Sequence, residues 1–297
     1  KEKIVLDHFN LSLEKGDVLG LLGPNGCGKT TSIMCILSLL KYDSGNIEVF
    51  GKKDIQNEYD IKRKIGIVPQ ELAVFENLNV RENIDYFCGL YVQNKNERKR
   101  LVNEAIEFTG LQSHEKMLQK KLSGGLKRRL NIACGISHKP ELVILDEPTV
   151  AVDAQSRKFI LDGIKNLADN GASILYTTHY LDEAEYLCNK ISIMDNGKNI
   201  LTGDMQTLIN GVSVKEKITV VGYIKPEIIS ILENQDDVVD VEVKENQVTL
   251  NYSNDVGNIK RLIHLLDDNN VVYEEIFSKK PKLEDIFLEM TGKELRE

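Results

Sequence analysis

The sequence predicts an α/β protein in two parts, a large domain with a parallel core sheet and a smaller α+β domain after it. Short apolar runs alternate with stretches in which apolar residues recur at helical spacing, as in proteins built on parallel sheets. One of these runs, Leu142–Leu145, is continuously apolar, as expected of a strand buried on both faces. From residue 218 onward the predicted order becomes strand, helix, two strands, helix and strand, which is typical of a ferredoxin-like domain. We therefore predict domains at 1–215 and 218–297, with a linker over 203–217.

The bulk composition limits the kinds of protein this chain can be. Its 297 residues suffice for one large or two medium domains, and 41% of them are hydrophobic, so buried cores are expected. The net charge of −8 argues against a surface that coats nucleic acid, and no apolar run approaches the length of a membrane span. No signal peptide opens the chain, and the five cysteines lack C-x-x-C spacing. We therefore expect a soluble, cytosolic protein with reduced thiols and no nucleic-acid partner.

Several smaller patterns refine this architecture. Residues 4–15 alternate weakly, and Asn46–Phe50 lies between two glycines, so together they suggest an antiparallel sheet beside the main one. Ile65–Pro69 is a further short strand. Between about 71 and 140 the apolar spacing is helical, which predicts a helical subdomain. Near the end of the first domain, Asn196-Gly197 predicts a tight hairpin turn.

Polar residues follow several of the predicted strands at the point where each strand ends. Asp146 and Glu147 come directly after Leu142–Leu145. Gln70 and His179 follow two other strands. Because sites in open parallel sheets gather at the carboxyl ends of the strands, we expect these side chains to lie close together.

The stretch Gly-Pro-Asn-Gly-Cys-Gly-Lys-Thr-Thr at 23–31 fits the pattern G-x-x-x-x-G-K-[ST]. An apolar strand pattern precedes it and a helical pattern follows it, which is the arrangement that cradles phosphates. Glycines let backbone N–H groups approach an anion, and the helix presents its positive end to the same phosphates. Lys29 is expected to reach the β- and γ-phosphates, and the Thr30 hydroxyl to bind Mg²⁺. The residues predicted to contact the nucleotide here are Gly23, Pro24, Asn25, Gly26, Cys27, Gly28, Lys29, Thr30 and Thr31.

The acidic pair after Leu142–Leu145 extends this chemistry. Asp146 can hold Mg²⁺ opposite Thr30. Glu147 can take a proton from an attacking water. An acidic pair after a strand can instead cap the N-terminus of a following helix. Next to a phosphate loop, catalysis is the favoured interpretation.

Leu122-Ser-Gly-Gly-Leu126 stands before a predicted helix and resembles the signature of ABC-type ATPases. Ser123, Gly124 and Gly125 would form a second anion site at that helix N-terminus. The resemblance to the ATP-binding cassette covers residues 1 to about 215 and follows one order: phosphate loop, Gln70, signature, Leu145-Asp-Glu-Pro148, Asp153 and His179. It implies an ATP-hydrolysing motor subunit of an ABC transporter. In that family two cassettes pair head to tail, with ATP between the phosphate loop of one and the signature of the other.

The resemblance also implies roles for individual residues. Gln70 is similar to the glutamine that touches Mg²⁺ and senses the membrane partner, and Asp153 to the aspartate that crosses the dimer interface. His179 is similar to the histidine that contacts the γ-phosphate. The implied cofactors are ATP and Mg²⁺. The expected catalytic residues are Lys29, Glu147 and His179; the metal ligands are Thr30, Gln70 and Asp146; Gln70, Ser123, Gly124 and Gly125 are further nucleotide contacts.

The chain departs from the family pattern in three places. Leu126 stands where the signature usually has Gln, and Val150-Ala-Val-Asp153 replaces the more usual small-Gly-Leu-Asp while keeping the aspartate. The aromatic residue on which the family stacks adenine is expected to fall before Lys1. Phe9 is the only nearby aromatic and is expected to pack inside.

Three stretches indicate a branch of the family. Asp153-Ala-Gln-Ser-Arg157, residues 177–185 and residues 282–292 resemble the drug, antibiotic and lipid exporters, which carry a small C-terminal domain. This implies a transmembrane subunit or domain as partner, docked by Glu71–Tyr91, and either a homodimer or a second cassette. The chain is then expected at the inner face of the cell membrane.

Three alternatives remain open from the sequence. A soluble ABC ATPase acting on ribosomes or DNA is disfavoured by the single cassette and the lack of a basic surface. A P-loop kinase or GTPase is disfavoured by the signature and by His179. An ATP-dependent regulatory protein without turnover is disfavoured by the presence of both Glu147 and His179.

Overall fold

The computed structural model describes residues 4–53 and 55–292, and its contacts divide the chain into two compact units. The first unit runs to Thr202 and the second begins at Gly203. Each unit has its own sheet and its own apolar core.

A six-stranded sheet forms the centre of the first unit. The strands of this unit are, in chain order, β1 (Val18–Leu22), β2 (Glu48–Val49), β3 (Lys52–Lys53), β4 (Ile65–Val68), β5 (Leu142–Asp146), β6 (Ser173–Thr178), β7 (Lys190–Asp195) and β8 (Lys198–Gly203). The large sheet has the order β4-β5-β6-β1-β7-β8, and the first five strands in that order pair in parallel. Strands β1, β5 and β6 are buried along their whole length, as their continuous apolar runs predict. Their carboxyl ends therefore meet at one edge.

The turn between β7 and β8 has the predicted form. Asn196 and Gly197 both adopt positive φ, at 47° and 79°. This is the backbone conformation that a two-residue hairpin turn requires and that Asn-Gly adopts readily.

The antiparallel part of this unit is smaller than the sequence suggested. Strands β2 and β3 form a two-residue antiparallel ladder, but residues 4–15 form no strand. Instead the Asp7 N–H donates to Gly197 O at 2.9 Å, and the Asn10 N–H donates to the Asn199 side chain at 2.6 Å. A side-chain acceptor thus takes an N–H that a strand ladder would use. Phe9 packs against the core beneath this segment, as expected.

Within the described residues the first unit has seven α-helices, which pack around the sheet or build the helical subdomain. They are α1 (Lys29–Ile36), α2 (Tyr59–Lys62), α3 (Val80–Gly89), α4 (Lys95–Phe108), α5 (Gly124–Ile136), α6 (Ala154–Asp169) and α7 (Leu181–Leu187). Helices α3, α4 and α5 share an apolar cluster that includes Ile84, Val102 and Leu130. Asn79 begins α3 with a capping box, and Asn94 caps α4. The helical subdomain predicted between 71 and 140 is present.

The second unit has the predicted ferredoxin-like order. Its elements are α8 (Met205–Asn210), β9 (Glu216–Val221), α9 (Pro226–Glu233), β10 (Val238–Lys244), β11 (Gln247–Tyr252), α10 (Asn258–Asp268), β12 (Glu275–Lys279) and α11 (Leu283–Thr291). The strands form an antiparallel sheet in the order β10-β11-β9-β12, and α9 and α10 contribute to the core on one of its faces. The fold class predicted from the sequence is confirmed for both parts of the chain.

Two features of the second unit differ from or refine the sequence interpretation. Residues 203–217, predicted as a linker, contain helix α8, which Asp204 caps and which contacts α11. The apolar side of α11, including Ile286 and Phe287, is buried. Lys217 pairs with Asp285 at 2.6 Å, so α11 is held within its own unit.

No helix among the described residues is long and apolar enough to cross a membrane.

Candidate functional site

The glycine-rich loop between β1 and α1 has the geometry of an anion cradle. Gly26 and Gly28 adopt φ of 78° and 115°, a region that side chains with a β-carbon rarely occupy. A β-carbon on Gly23 would lie 2.6 Å from Cys27 Sγ and would also collide with the Met194 carbonyl. The loop therefore needs its glycines, and it leads into helix α1, whose free N–H groups face the same space.

Lys29 is held beneath this loop, where it is only 5% exposed. Its Nζ donates to the Gly23 carbonyl at 2.7 Å and lies 3.3 Å from Glu147 Oε1. A buried ammonium needs such partners. The predicted phosphate-binding lysine and the predicted general base are thus in direct contact.

Asp146 lies at the end of β5 and is 5% exposed. Its Oδ2 accepts a hydrogen bond from Thr30 Oγ1 at 2.8 Å, and its Oδ1 accepts one from Thr177 Oγ1 at 2.5 Å. The two predicted magnesium ligands Thr30 and Asp146 are thus joined by a direct hydrogen bond. Thr177, at the end of β6, was not predicted as a site residue, and its only signal of such a role is a hydroxyl near the end of a strand.

Glu147 lies at the centre of the cluster. Its backbone adopts φ 46°, and its N–H donates to the Thr177 carbonyl at 3.1 Å. Its Oε2 accepts a hydrogen bond from Gln70 Nε2 at 3.3 Å and lies 3.4 Å from His179 Nδ1. No helix begins at the acidic pair, since Asp153 caps the next helix, α6. The alternative that Asp146 and Glu147 cap a helix is therefore wrong.

Gln70 is held in place by helix α5. Arg128, which is 7% exposed, donates from Nη1 to the carbonyls of Pro69 at 3.2 Å and Gln70 at 2.8 Å. Asn131 also donates to Pro69 O, at 3.2 Å. Two buried side chains of α5 thus fix the loop after β4. Arg128 and Asn131 were not predicted as site residues.

The signature lies elsewhere on the same unit. Ser123 caps α5 by accepting from the Leu126 N–H at 3.4 Å, and Ser123 and Gly124 are exposed. Gly125 is buried against the start of α6, where its β-carbon would lie 3.0 Å from Asp153 Oδ2. Among the described residues, no hydrogen bond or ion pair joins residues 123–125 to residues 23–31. The signature is thus placed beside Asp153 and presents an open helix N-terminus.

Cys27 within the loop is buried, and burial raises the pKa of its thiol. A protonated, inaccessible thiol is a poor nucleophile. We therefore interpret Cys27 as a small side chain tolerated in a tight loop.

Comparison with known proteins agrees with this arrangement. The ABC transporter family profile matches residues 6–150. The whole chain is 37% identical to the linearmycin resistance ATP-binding protein of Bacillus subtilis and covers 96% of that protein. It is 30% identical to a Nod factor export ATP-binding protein of Sinorhizobium fredii, with 100% of this chain and 84% of that protein covered. It is also 32% identical to a daunorubicin resistance ATP-binding protein of Streptomyces coeruleorubidus, with 98% and 91% covered.

Solved structures show the same likeness. An ATP-binding subunit of an ABC transporter matches with a TM-score of 0.64 and 25% identity, over 70% of this chain and 86% of that one. A dimeric ATP-binding cassette in a post-hydrolysis state, bound to ADP and Pi, matches with a TM-score of 0.62 and 25% identity, over 68% of this chain and 90% of that one.

The fold and the site define a P-loop ATPase of the ATP-binding cassette type. The chain belongs to the ABC transporter family. It is an ATP-binding subunit that hydrolyses ATP, and the predicted motor function and exporter-type resemblance are confirmed. Cassettes of this family work as dimers with transmembrane partners. The alternatives of a P-loop kinase or GTPase, of a ribosome- or DNA-directed ATPase, and of a regulator without turnover are set aside.

Proposed function

We propose that the chain drives the export of an antibiotic or drug through a membrane partner, using ATP bound at the cluster around Glu147. ATP hydrolysis at this cluster is supported most directly by the convergence of Lys29, Gln70 and His179 on that one carboxylate. The exporter assignment is supported by the names of the relatives, of which the antibiotic-resistance protein of Bacillus subtilis is 37% identical over the full chain.

The nucleotide phosphates would lie on residues 23–31, over the start of α1. Lys29 Nζ is already turned toward the loop, 2.7 Å from the Gly23 carbonyl. A γ-phosphate offers this ammonium a stronger partner than a backbone carbonyl. Phosphate would therefore compete with the Gly23 carbonyl for this ammonium.

The residues around Asp146 fit a magnesium ion. Thr30 Oγ1 and Asp146 Oδ2 lie 2.8 Å apart, and both are oxygens that can ligate a metal. Gln70 Nε2 lies 3.3 Å from Oε2 of the neighbouring Glu147. Magnesium in nucleotide sites is held by one or two carboxylates together with the substrate phosphates. When bound, it would neutralise charge on the β- and γ-phosphates. Thr30, Asp146 and Gln70 would hold it.

Glu147 is placed to act as the general base. It is 5% exposed, and its Oε2 is shared by Gln70 and His179. Removing a proton from a water held beside this oxygen would activate that water for attack on the γ-phosphorus. His179, whose Nδ1 lies 3.4 Å from Glu147 Oε2, would contact the γ-phosphate and orient it.

The signature would complete the site of a second cassette. Ser123 and Gly124 are exposed at the start of the 13-residue helix α5, where free N–H groups favour an anion. No hydrogen bond or ion pair in the described part of the chain joins them to the phosphate loop. We therefore infer a head-to-tail pair, either a homodimer or a pair with a second cassette, in which each ATP lies between one phosphate loop and the other chain's signature.

A cluster of aromatic rings at 75, 86 and 87 would receive the membrane partner. Phe75 and Tyr86 are 45% and 48% exposed, and their ring centroids lie 4.9 Å apart. Phe87 joins them with a centroid 5.8 Å from that of Phe75. These rings lie within the predicted docking segment Glu71–Tyr91, and such an apolar surface suits a cytoplasmic loop of a transmembrane subunit. The cassette would then lie at the inner face of the membrane.

The proposed nucleotide contacts suggest how the chain divides into domains. Residues 1–215 would form the cassette, since every proposed nucleotide contact lies there. Residues 218–297 would form an accessory domain without a catalytic role.

Glu147→Gln tests the proposed chemistry, with the exposed Glu141→Gln as matched control. Glu147→Gln should bind ATP but hydrolyse it about 10²–10⁴-fold more slowly, the usual contribution of a general base. It should also accumulate as an ATP-bound dimer in size-exclusion chromatography, whereas Glu141→Gln should behave as wild type. Near-wild-type turnover of Glu147→Gln would show that it is not the base. In cells that also express the membrane partner, antibiotic resistance should be lost with Glu147→Gln and kept with the control.

A further inference from the structure

A buried carboxylate, Glu183, ties together the segments that surround the site. It lies in α7 and is 1% exposed. Its Oε2 accepts hydrogen bonds from the hydroxyls of Thr149 at 2.9 Å, Tyr176 at 2.7 Å and Thr178 at 3.0 Å. Burial, with the charge of Glu183 adding to it, raises the pKa of the Tyr176 hydroxyl, so that group remains a donor. Three hydroxyl donors make this a rigid anchor.

The anchor lies next to the catalytic residues in the chain. Thr149 is two residues after Glu147, and Thr178 immediately precedes His179. The loop after β5 and the end of β6 are thus joined through one carboxylate. In the described part of the chain this carboxylate makes no hydrogen bond or ion pair with the proposed nucleotide residues.

Arg157 of helix α6 also contacts the anchor residue Glu183. Its Nε lies 3.4 Å from Glu183 Oε1, and its guanidinium carbon lies 4.2 Å from the centre of the Tyr180 ring. The Tyr180 ring lies against the His179 imidazole, with their centroids 4.2 Å apart. A guanidinium over an aromatic face is attracted by the ring's charge distribution. The imidazole is therefore packed on a ring that Arg157 holds in place.

The first turn of α6 also contacts the signature. The Arg157 N–H donates to the Asp153 carbonyl at 2.8 Å, and Asp153 is the N-cap of the helix. A β-carbon on Gly125 would lie 2.7 Å from Ser156 Cβ, so the signature turn packs directly on this helix start. One helical turn thus touches the signature on one side and, through Arg157, the segment that carries His179.

We propose that Arg157 is a positioning residue for His179 and acts through the ring of Tyr180, while Glu183 holds the guanidinium. The inference rests on the proposed function, in which His179 contacts the γ-phosphate and the signature faces the second cassette. A shift of the first turn of α6, caused by engagement of the signature, would then be passed to the imidazole at the chain's own nucleotide.

Steady-state ATPase kinetics on the full chain test this role. Arg157→Lys keeps a charge facing Glu183 but loses the planar group over the ring. Tyr180→Ala removes the ring, and Tyr180→Phe is the matched control that keeps it. We expect kcat to fall about 2–30-fold in Arg157→Lys and Tyr180→Ala, the range that a cation–π contact can account for. The KM for ATP should stay within about twofold of wild type, and Tyr180→Phe should match wild type.

A double-mutant cycle separates positioning from general damage. In a His179→Ala background, Arg157→Lys and Tyr180→Ala should lower kcat no further, because both act through the imidazole. Melting temperatures confirm that each variant is folded. A full additional loss in that background, or wild-type kcat in both single variants, would overturn the positioning role while leaving the proposed function intact. If His179→Ala itself hydrolyses ATP at the wild-type rate, the proposed role of His179 is wrong and the inference falls with it.

Discussion

The two glycines of the signature face different surroundings, and substitution by alanine should separate their roles. A β-carbon on Gly125 would lie 2.7 Å from Ser156 Cβ and would also collide with Ser156 Oγ. The hydroxyl can rotate away, but Ser156 Cβ moves only if the first turn of α6 moves. A β-carbon on Gly124 would meet only the Ala151 carbonyl, at 3.9 Å, which is an ordinary contact.

The expected cost follows from this geometry. Overpacking of a well-packed contact costs about 1–3 kcal/mol, so Gly125→Ala should lower the free energy of unfolding by about that amount. For a domain of this size that corresponds to about 2–12 °C in melting temperature. Gly124→Ala should leave the melting temperature unchanged or slightly raised, because alanine is up to about 1 kcal/mol better than glycine within a helix.

Thermal unfolding and ATPase activity of the two variants decide the matter together. Gly125→Ala should be less stable than wild type. Gly124→Ala should be as stable as wild type but slower in ATP hydrolysis, because its methyl group stands on the exposed face proposed to meet the second cassette's ATP. Equal melting temperatures for the two variants would refute the packing argument. Wild-type turnover of Gly124→Ala would argue against a nucleotide at that face.

Three further outcomes are expected. Lys29→Ala should abolish tight binding of a fluorescent ATP analogue, since it removes the buried ammonium from the loop, while the exposed Lys41→Ala should bind normally; unchanged affinity of Lys29→Ala would contradict the phosphate role. The Ser123→Arg variant by itself should not hydrolyse ATP, because both sites of its homodimer lack an intact signature. Activity should return when it is mixed with Lys29→Ala chains, because one heterodimer interface then pairs an intact loop with an intact signature. No recovery at any ratio would show that the sites are not shared or must act together. A chain ending at Gly203 should still bind ATP but lose specific activity more steeply on dilution than the full chain, if the second unit helps to hold dimers; parallel dilution curves would exclude that role.

Much of the first unit could be predicted because its signals are local. The residues of the phosphate loop are contiguous, and the positive φ of Gly26 and Gly28 is what glycine at those positions indicates. The apolar runs of β1 and β5 predict strands buried on both faces, and Asn196-Gly197 predicts its hairpin turn. From parallel pairing alone, the polar residues after successive strands were expected to meet at one edge, as Asp146 and Glu147 do with their neighbours.

Local patterns misled where tertiary contacts replace a regular ladder. Residues 4–15 alternate like a strand, but the Asn199 side chain takes the Asn10 N–H, so no ladder forms. Residues 205–210 are too short to show helical periodicity, yet Asp204 caps them and contact with α11 stabilises them as α8.

The sequence by itself determined the fold class and the family, and it predicted which residues carry the chemistry, because each of these depends on contiguous motifs or on a period of two or 3.6 residues. Only the tertiary structure decided how those residues are held. The hydroxyl of Thr177 on Asp146, the grip of Arg128 on the Gln70 carbonyl and the contact of Arg157 with Tyr180 each join positions that lie 31, 58 and 23 residues apart in the chain. Such pairs have no periodic signal, since they arise only when the sheet brings the ends of its strands together and the helices close over them.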